Sequence, residues 1–99
     1  MKVDITWRPN VEQTAITTSA TSQQSAAFAT STTAIRLAAL ASTATYGVHF
    51  SVGSSPVATA NSPMIPAGGV EYIQVQAGEK VALLQEGGAL KVTITELTH

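Results

Sequence analysis

The chain has 99 residues, a formal net charge of −1 and only 11% charged residues, a length that suits one small domain with one core. Its few Lys and Arg residues form no run, which argues against a nucleic-acid partner. The lack of cysteine excludes disulfides and thiolate metal sites. No apolar stretch approaches the roughly 18 residues of a membrane span, and the start, MKVDITW, has no hydrophobic export segment. We therefore expect neither nucleic acid nor a membrane as partner.

The first predicted element is a strand, because Val3, Ile5 and Trp7 alternate with polar residues. This alternation favours packing of Trp7 in the core. The alternative is a binding anchor, since Trp and Arg are frequent at the centres of interfaces and Arg8 follows directly. Trp7 and Arg8 are therefore candidate residues of a partner interface.

The stretch from Thr14 to Tyr46 is almost entirely Ala, Thr and Ser, with Arg36 as its one charged side chain. A disordered linker avoids bulky apolar residues, whereas this stretch contains Ile16, Phe28, Ile35, Leu37 and Leu40. We therefore predict that it is folded. The segment TTAIRLAALAS is compatible with a short helix behind a Thr cap, but we favour a strand for Ile35 to Leu37.

Further strands are indicated by apolar residues at every second position. These positions are Val48, Phe50 and Val52; Ile73 and Val75; Val81 and Leu83; and Leu90, Val92 and Ile94. Turn signals containing Gly or Pro lie between the strands, in RPN, GSSP, NSP, PAGG, AGEK and EGG. Many short strands with regular turns predict an all-β fold, a single antiparallel β-sandwich or jelly-roll-like domain over residues 1–99.

The charge-poor middle of the chain predicts a docking surface for a protein. Hydroxyls and alanines are easier to desolvate than charges, and interface cores are depleted of charge. Arg36, between Ile35 and Leu37, is expected to point away from the core into this neutral face, where it can bind a carboxylate or carbonyl of a partner. The alternative is that these are ordinary sheet-surface residues and that Arg36 serves solubility.

The charged residues near the two ends are expected on outward strand positions, where they would blunt exposed edges or simply face solvent. They are Lys2, Asp4, Lys91 and Glu96. The glutamates in the second half of the chain are also expected to be solvated, at strand edges and turns, and not paired as glycosidase acids. They are Glu71, Glu79, Glu86 and Glu96.

No motif indicates a reaction. The serines lack a nucleophile-elbow context, His49 is expected at a surface or core edge, and His99 ends the chain. Two distant histidines without cysteine predict no metal site, and no phosphate-binding loop spacing occurs. We predict a protein that is not an enzyme, with no catalytic residue, no metal and no cofactor.

From about Ser25 to Leu97 the chain resembles small β-sandwich virion proteins of tailed bacteriophages. The resemblance is carried by SAAFATSTTAIRLAA, by GVHFSVGSSPVAT followed by MIPAGGVEYIQVQAGEKVALL, and by GGALKVTITEL. It implies a structural part of a phage particle, located in the virion after assembly in the host cytoplasm. The expected role is capsid decoration, with the major capsid protein or another virion protein as partner and a homo-oligomer possible.

Two alternatives remain open at the level of sequence. One is a position at the neck or tail of the particle. The other is a carbohydrate-binding adhesion module, for which exposed aromatic rings would be needed. Trp7, Tyr46 and Tyr72 are the candidates for such a site.

Overall fold

The computed structural model describes residues 7–43 and 45–98. Within these ranges the chain forms β-strands and no helix. The strands are β1 Arg8–Glu12, β2 Ile16–Thr17, β3 Gln23–Gln24, β4 Ala34–Ala39, β5 Gly47–Gly53, β6 Met64–Pro66, β7 Val70–Gln74, β8 Lys80–Glu86 and β9 Lys91–Thr98. The predicted positions Val3 and Ile5, together with Lys2, Asp4 and His99, lie outside the described residues.

The strands form two antiparallel sheets that pack face to face. The five-stranded sheet has the order β1-β9-β4-β7, with β2 also paired to β9, and the four-stranded sheet has the order β3-β8-β5-β6. The chain passes repeatedly from one sheet to the other, so sequence neighbours often lie in different sheets. The prediction of an all-β sandwich is confirmed.

The apolar alternation places one core between the sheets. Ile35 and Leu37 from β4, Val48 from β5, and Val92 and Ile94 from β9 are almost fully buried there. Phe50 and Val52 lie on the same side of β5 as Val48 but are only partly buried against this core. The predicted orientation of β5 is therefore confirmed, while Phe50 contributes less burial than a central core residue.

The segment with helix-forming composition is the strand β4, which lies inside the five-stranded sheet between β9 and β7. Ile35, Leu37 and Ala39 are buried with period two on its core side, Ala34 at its start is buried as well, and Arg36 and Ala38 are half-buried. Burial on one face of a sheet thus outweighs the weak local preference of Ala and Leu for a helix.

Strand β1 begins where a turn was predicted. The segment RPN, Arg8 to Asn10, belongs to the strand, and the pairing register with β9 shifts between Pro9 and Val11. Because β1 is an edge strand, Pro9 can be accommodated although it has no N–H to donate. The turn prediction for this segment is wrong.

The Ala/Thr/Ser stretch is folded, as predicted, but it is distributed over both sheets. Strand β2 pairs with β9, β3 pairs with β8, and β4 returns to the five-stranded sheet. Some of its hydroxyls are buried, including those of Thr18, Ser25 and Thr32. A docking face can therefore contain only part of this stretch, namely the outward residues of β4.

Candidate interaction face

The outer face of the five-stranded sheet is formed by side chains that alternate with the core residues of β4, β7 and β9. The pairing register arranges them in rows across the three strands. From one end of the sheet the rows are Leu97, Ala34 and Gln74; then Thr95, Arg36 and Tyr72; then Thr93, Ala38 and Val70. We call these nine residues the outer face. Ala34 and Leu97 in its first row are buried, with 0% and 5% exposure, so a partner can reach the other seven. Arg36, at its centre, is its one charged residue.

Arg36 is half-buried and stands directly between Thr95 of β9 and Tyr72 of β7. It makes no hydrogen bond or ion pair in the part of the chain that the structure describes. A guanidinium group carries five N–H donors, and its planar fork suits a carboxylate or carbonyl acceptor. The prediction that Arg36 points away from the core is confirmed, and its donors are available to a partner.

Trp7 stacks on Tyr72, with ring centroids 6.0 Å apart and an angle of 13° between the ring planes. Tyr72 is 56% exposed and Trp7 is half-buried. Trp7 thus lies over the outer face and not in the core, so the core packing expected from its alternation with Val3 and Ile5 is wrong. Strand β1 begins at Arg8, one residue after Trp7. The alternation of apolar residues in the sequence could not show where the strand begins.

Arg8 does not join this group. It is exposed and pairs with Thr98, whereas the next residue, Pro9, pairs with the outer-face residue Leu97. Successive side chains of a strand point to opposite faces, so Arg8 points away from the outer face. Of the three candidate interface residues, the structure brings together Trp7 and Arg36 and separates Arg8 from them.

Glu96 is buried, so the prediction that it lies at the surface is wrong. Its side chain is 2% exposed, on the same side of β9 as Val92 and Ile94. One carboxylate oxygen accepts hydrogen bonds from the Ala29 N–H (2.8 Å) and the Thr32 hydroxyl (2.7 Å). The other oxygen accepts one from the Gln13 amide (2.9 Å). The carboxylate therefore attaches the segment around residues 26–32 to the five-stranded sheet.

A groove of about 530 Å³ opens beside Glu96, between β1, β2 and the segment 24–29. Its polar groups are already paired with one another, because the Gln13 amide donates to the Ala26 carbonyl and accepts from the Ala26 N–H. The hydrogen-bonding capacity that a ligand would need is largely used within the chain. We therefore interpret the groove as a gap between packed strands at the edge of the sandwich, and not as a ligand site.

His49 joins a loop to the outer side of the four-stranded sheet. Its side chain is 8% exposed, with Nδ1 2.9 Å from the Ser62 carbonyl and Nε2 2.8 Å from a Glu86 carboxylate oxygen. Both partners accept hydrogen bonds, so the doubly protonated ring suits this position. The hydrogen bond to Ser62 and then that to Glu86 raise the pKa of His49, against the opposing effect of burial.

Two negative findings concern the described residues 7–43 and 45–98. No three His, Cys, Asp or Glu side chains converge there in a group that could hold a metal ion. No helix in that part of the chain has the length and apolar character needed to cross a membrane.

The comparisons with known proteins give no relative for this chain. Neither a family model, nor a curated protein, nor a solved structure matches it.

Proposed function

We propose that the protein is a non-enzymatic structural component of a bacteriophage virion, most specifically a capsid decoration protein. It binds the lattice of the major capsid protein through the outer face. The sequence resemblance supports a virion component, and the grouping of Arg36, Tyr72 and Trp7 supports docking through the outer face.

The observation that carries the proposal is Arg36, which is half-buried and has no hydrogen-bonding partner within residues 7–43 and 45–98. It lies beside the exposed ring of Tyr72, which stacks on the half-buried Trp7. Trp, Tyr and Arg are the residue types most enriched among those that dominate binding energy at protein interfaces. The surrounding Ala, Thr and Val side chains can be covered by a partner without desolvating a charge. A capsid lattice repeats one binding site many times, so one small face of this chain can place many copies on a particle.

The test compares two charge reversals that change the chain equally but lie on different sheets. Arg36→Glu alters the outer face, whereas Lys80→Glu alters the start of β8 in the four-stranded sheet. We expect Arg36→Glu to lower the occupancy of purified particles about tenfold or more, corresponding to about 1.4 kcal/mol of binding free energy. Lys80→Glu should retain the occupancy of the unchanged protein. Equal occupancy of the two variants would remove Arg36 from the interface.

A second candidate function is a carbohydrate-binding adhesion module of the virion, at the head, neck or tail. The exposed ring of Tyr72, held by its stack on Trp7, is the observation that favours it. Sugar rings pack on aromatic faces held in fixed orientations. A glycan array separates the two functions: binding that is lost in Tyr72→Ala supports the adhesion module, and silence of the unchanged protein supports lattice docking.

A further inference from the structure

Strand β7 presents main-chain hydrogen-bonding groups along the open edge of the five-stranded sheet. The Val75 N–H donates to the Thr33 carbonyl (3.1 Å), and the Ala39 N–H donates to the Gly69 carbonyl (2.9 Å). Residues of antiparallel strands alternate between facing the partner strand and facing away. The N–H and C=O groups of Val70, Tyr72 and Gln74 therefore point away from β4.

No strand in the described part of the chain pairs with this side of β7. An extended row of unpaired N–H and C=O groups can form hydrogen bonds with the main chain of another extended segment. The occupant of this edge is therefore a β-strand.

The other edge strands are protected against strand addition and β7 is not. Strand β1 contains Pro9 and a register shift, β2 and β3 have two residues each, and β6 has three residues with Pro66 as its last. Proline, bulges and short length are the devices by which proteins block pairing at an edge. Strand β7 has five residues, no proline and an uninterrupted register with β4.

We propose that the occupant is β7 of a second copy of this chain, paired antiparallel across a two-fold axis at Tyr72. This register uses all outward N–H and C=O groups of both strands and places Tyr72 opposite Tyr72, Val70 opposite Gln74 and Glu71 opposite Ile73. A shift by one pair in one direction would set Glu71 directly opposite Glu71, and like charges in that position are destabilising. A shift in the other direction would set Ile73 opposite Ile73 but would leave the outward N–H and C=O groups of Val70 without a partner in β7 of the other copy. The strand is therefore self-complementary in one register, as a two-fold interface requires.

Tyr72 links this edge to the outer face. In the dimer the Tyr72 ring of one copy, stacked on its own Trp7, lies opposite the Tyr72 ring of the other copy. Aromatic pairs across neighbouring strands stabilise a sheet. The two sheets then form one continuous surface with twice the lattice-binding area. The dimer requires only copies of this chain, so its presence or absence can be measured without the capsid and does not depend on the proposed function.

The experiment is sedimentation equilibrium of the full chain, with charge substitutions at the two-fold axis. Tyr72→Lys and Tyr72→Glu each place like charges opposite one another, so each variant alone should dissociate at least about tenfold more readily than the unchanged dimer. An equimolar mixture of the two should recover the dimer mass, because Lys then faces Glu. Tyr46→Lys is the matched control, since Tyr46 is 76% exposed and lies outside β7, and it should dimerise normally.

A second variant keeps the test independent of side-chain effects at position 72. Gln74→Pro removes one outward N–H without removing a hydrogen bond to β4, so it should yield a folded monomer by mass and by thermal unfolding. A monomeric unchanged chain at about 1 mM would overturn the proposal. So would a dimer formed by Gln74→Pro or Tyr72→Lys alone, or a mixture of the two charge variants that stays monomeric.

Discussion

At the scale of single residues, the structure confirms the predicted orientation of Arg36 and contradicts that of Glu96. Arg36 was predicted to face outward because Ile35 and Leu37 flank it, and it does. Glu96 was expected at the surface because glutamates are rarely buried. Yet it is two residues beyond Ile94 in the same alternation as Val92, and this was a signal that it faces the core.

The Glu96 carboxylate predicts a measurable loss of stability in Glu96→Gln. The new amide nitrogen must face either the Ala29 N–H and Thr32 hydroxyl or the Gln13 amide, all of which donate. The Gln13 amide cannot rotate to accept without losing both of its hydrogen bonds to Ala26. We expect the free energy of unfolding to fall by about 1 to 3 kcal/mol in urea denaturation.

Glu12→Gln is the control for this measurement. Glu12 is exposed on β1, so its replacement should change the free energy of unfolding by less than about 0.5 kcal/mol. Equal stability of the Glu96 and Glu12 variants would show that the buried hydrogen bonds do not hold the segment 26–32 to the sheet.

The raised pKa of His49 predicts that its contribution to stability depends on pH. The protonated ring is favoured in the folded state, so its stabilisation is complete below the unfolded pKa of about 6.5 and is lost as pH rises through the folded pKa. Glu86→Gln retains a hydrogen-bond acceptor but removes the charge. We expect it to lower the free energy of unfolding more at pH 6 than at pH 9.

Glu71→Gln provides the matched control for this pH dependence, because Glu71 is exposed on β7 in the other sheet. Its effect on stability should be small and similar at both pH values. An effect of Glu86→Gln that is equal at pH 6 and pH 9 would show that His49 is not protonated through its contact with Glu86.

At the scale of elements, the alternation of apolar residues predicted the longer strands and their core-facing sides. It also decided correctly between strand and helix for β4, since a strand buries Ile35 and Leu37 on one face. The two-residue strands β2 and β3 could not be predicted, because two residues carry no period. The start of β1 was also missed, since Pro9 is a turn signal unless the strand is known to lie at an edge.

The pairing of β5 with β6 depends on Gly47. A Cβ built at this glycine would overlap the Ile65 carbonyl oxygen of β6, because the two main chains approach too closely for a side chain. Gly47→Ala should therefore lower the free energy of unfolding by about 1 to 3 kcal/mol. Gly53→Ala, at the other end of the same strand, meets nothing within 4 Å and should leave stability nearly unchanged in the same denaturation experiment.

At the scale of the whole molecule, the fold class could be predicted but the arrangement of the sheets could not. The sequence contains no signal that β4 lies between β9 and β7, so it could not show that Arg36, Tyr72 and Trp7 share one face. Arg36 and Trp7 were both proposed as interface residues, each on a separate argument. Only the pairing register brings them together, with Tyr72 between them.

The central claim is that many copies of this chain cover a capsid lattice. Quantitative mass spectrometry of purified particles tests it most directly, by the number of copies of this chain relative to the major capsid protein. The account predicts a ratio near one to one or a simple fraction set by the lattice. A handful of copies per particle would contradict decoration and indicate the neck or tail, and absence from the particle would contradict a virion role altogether.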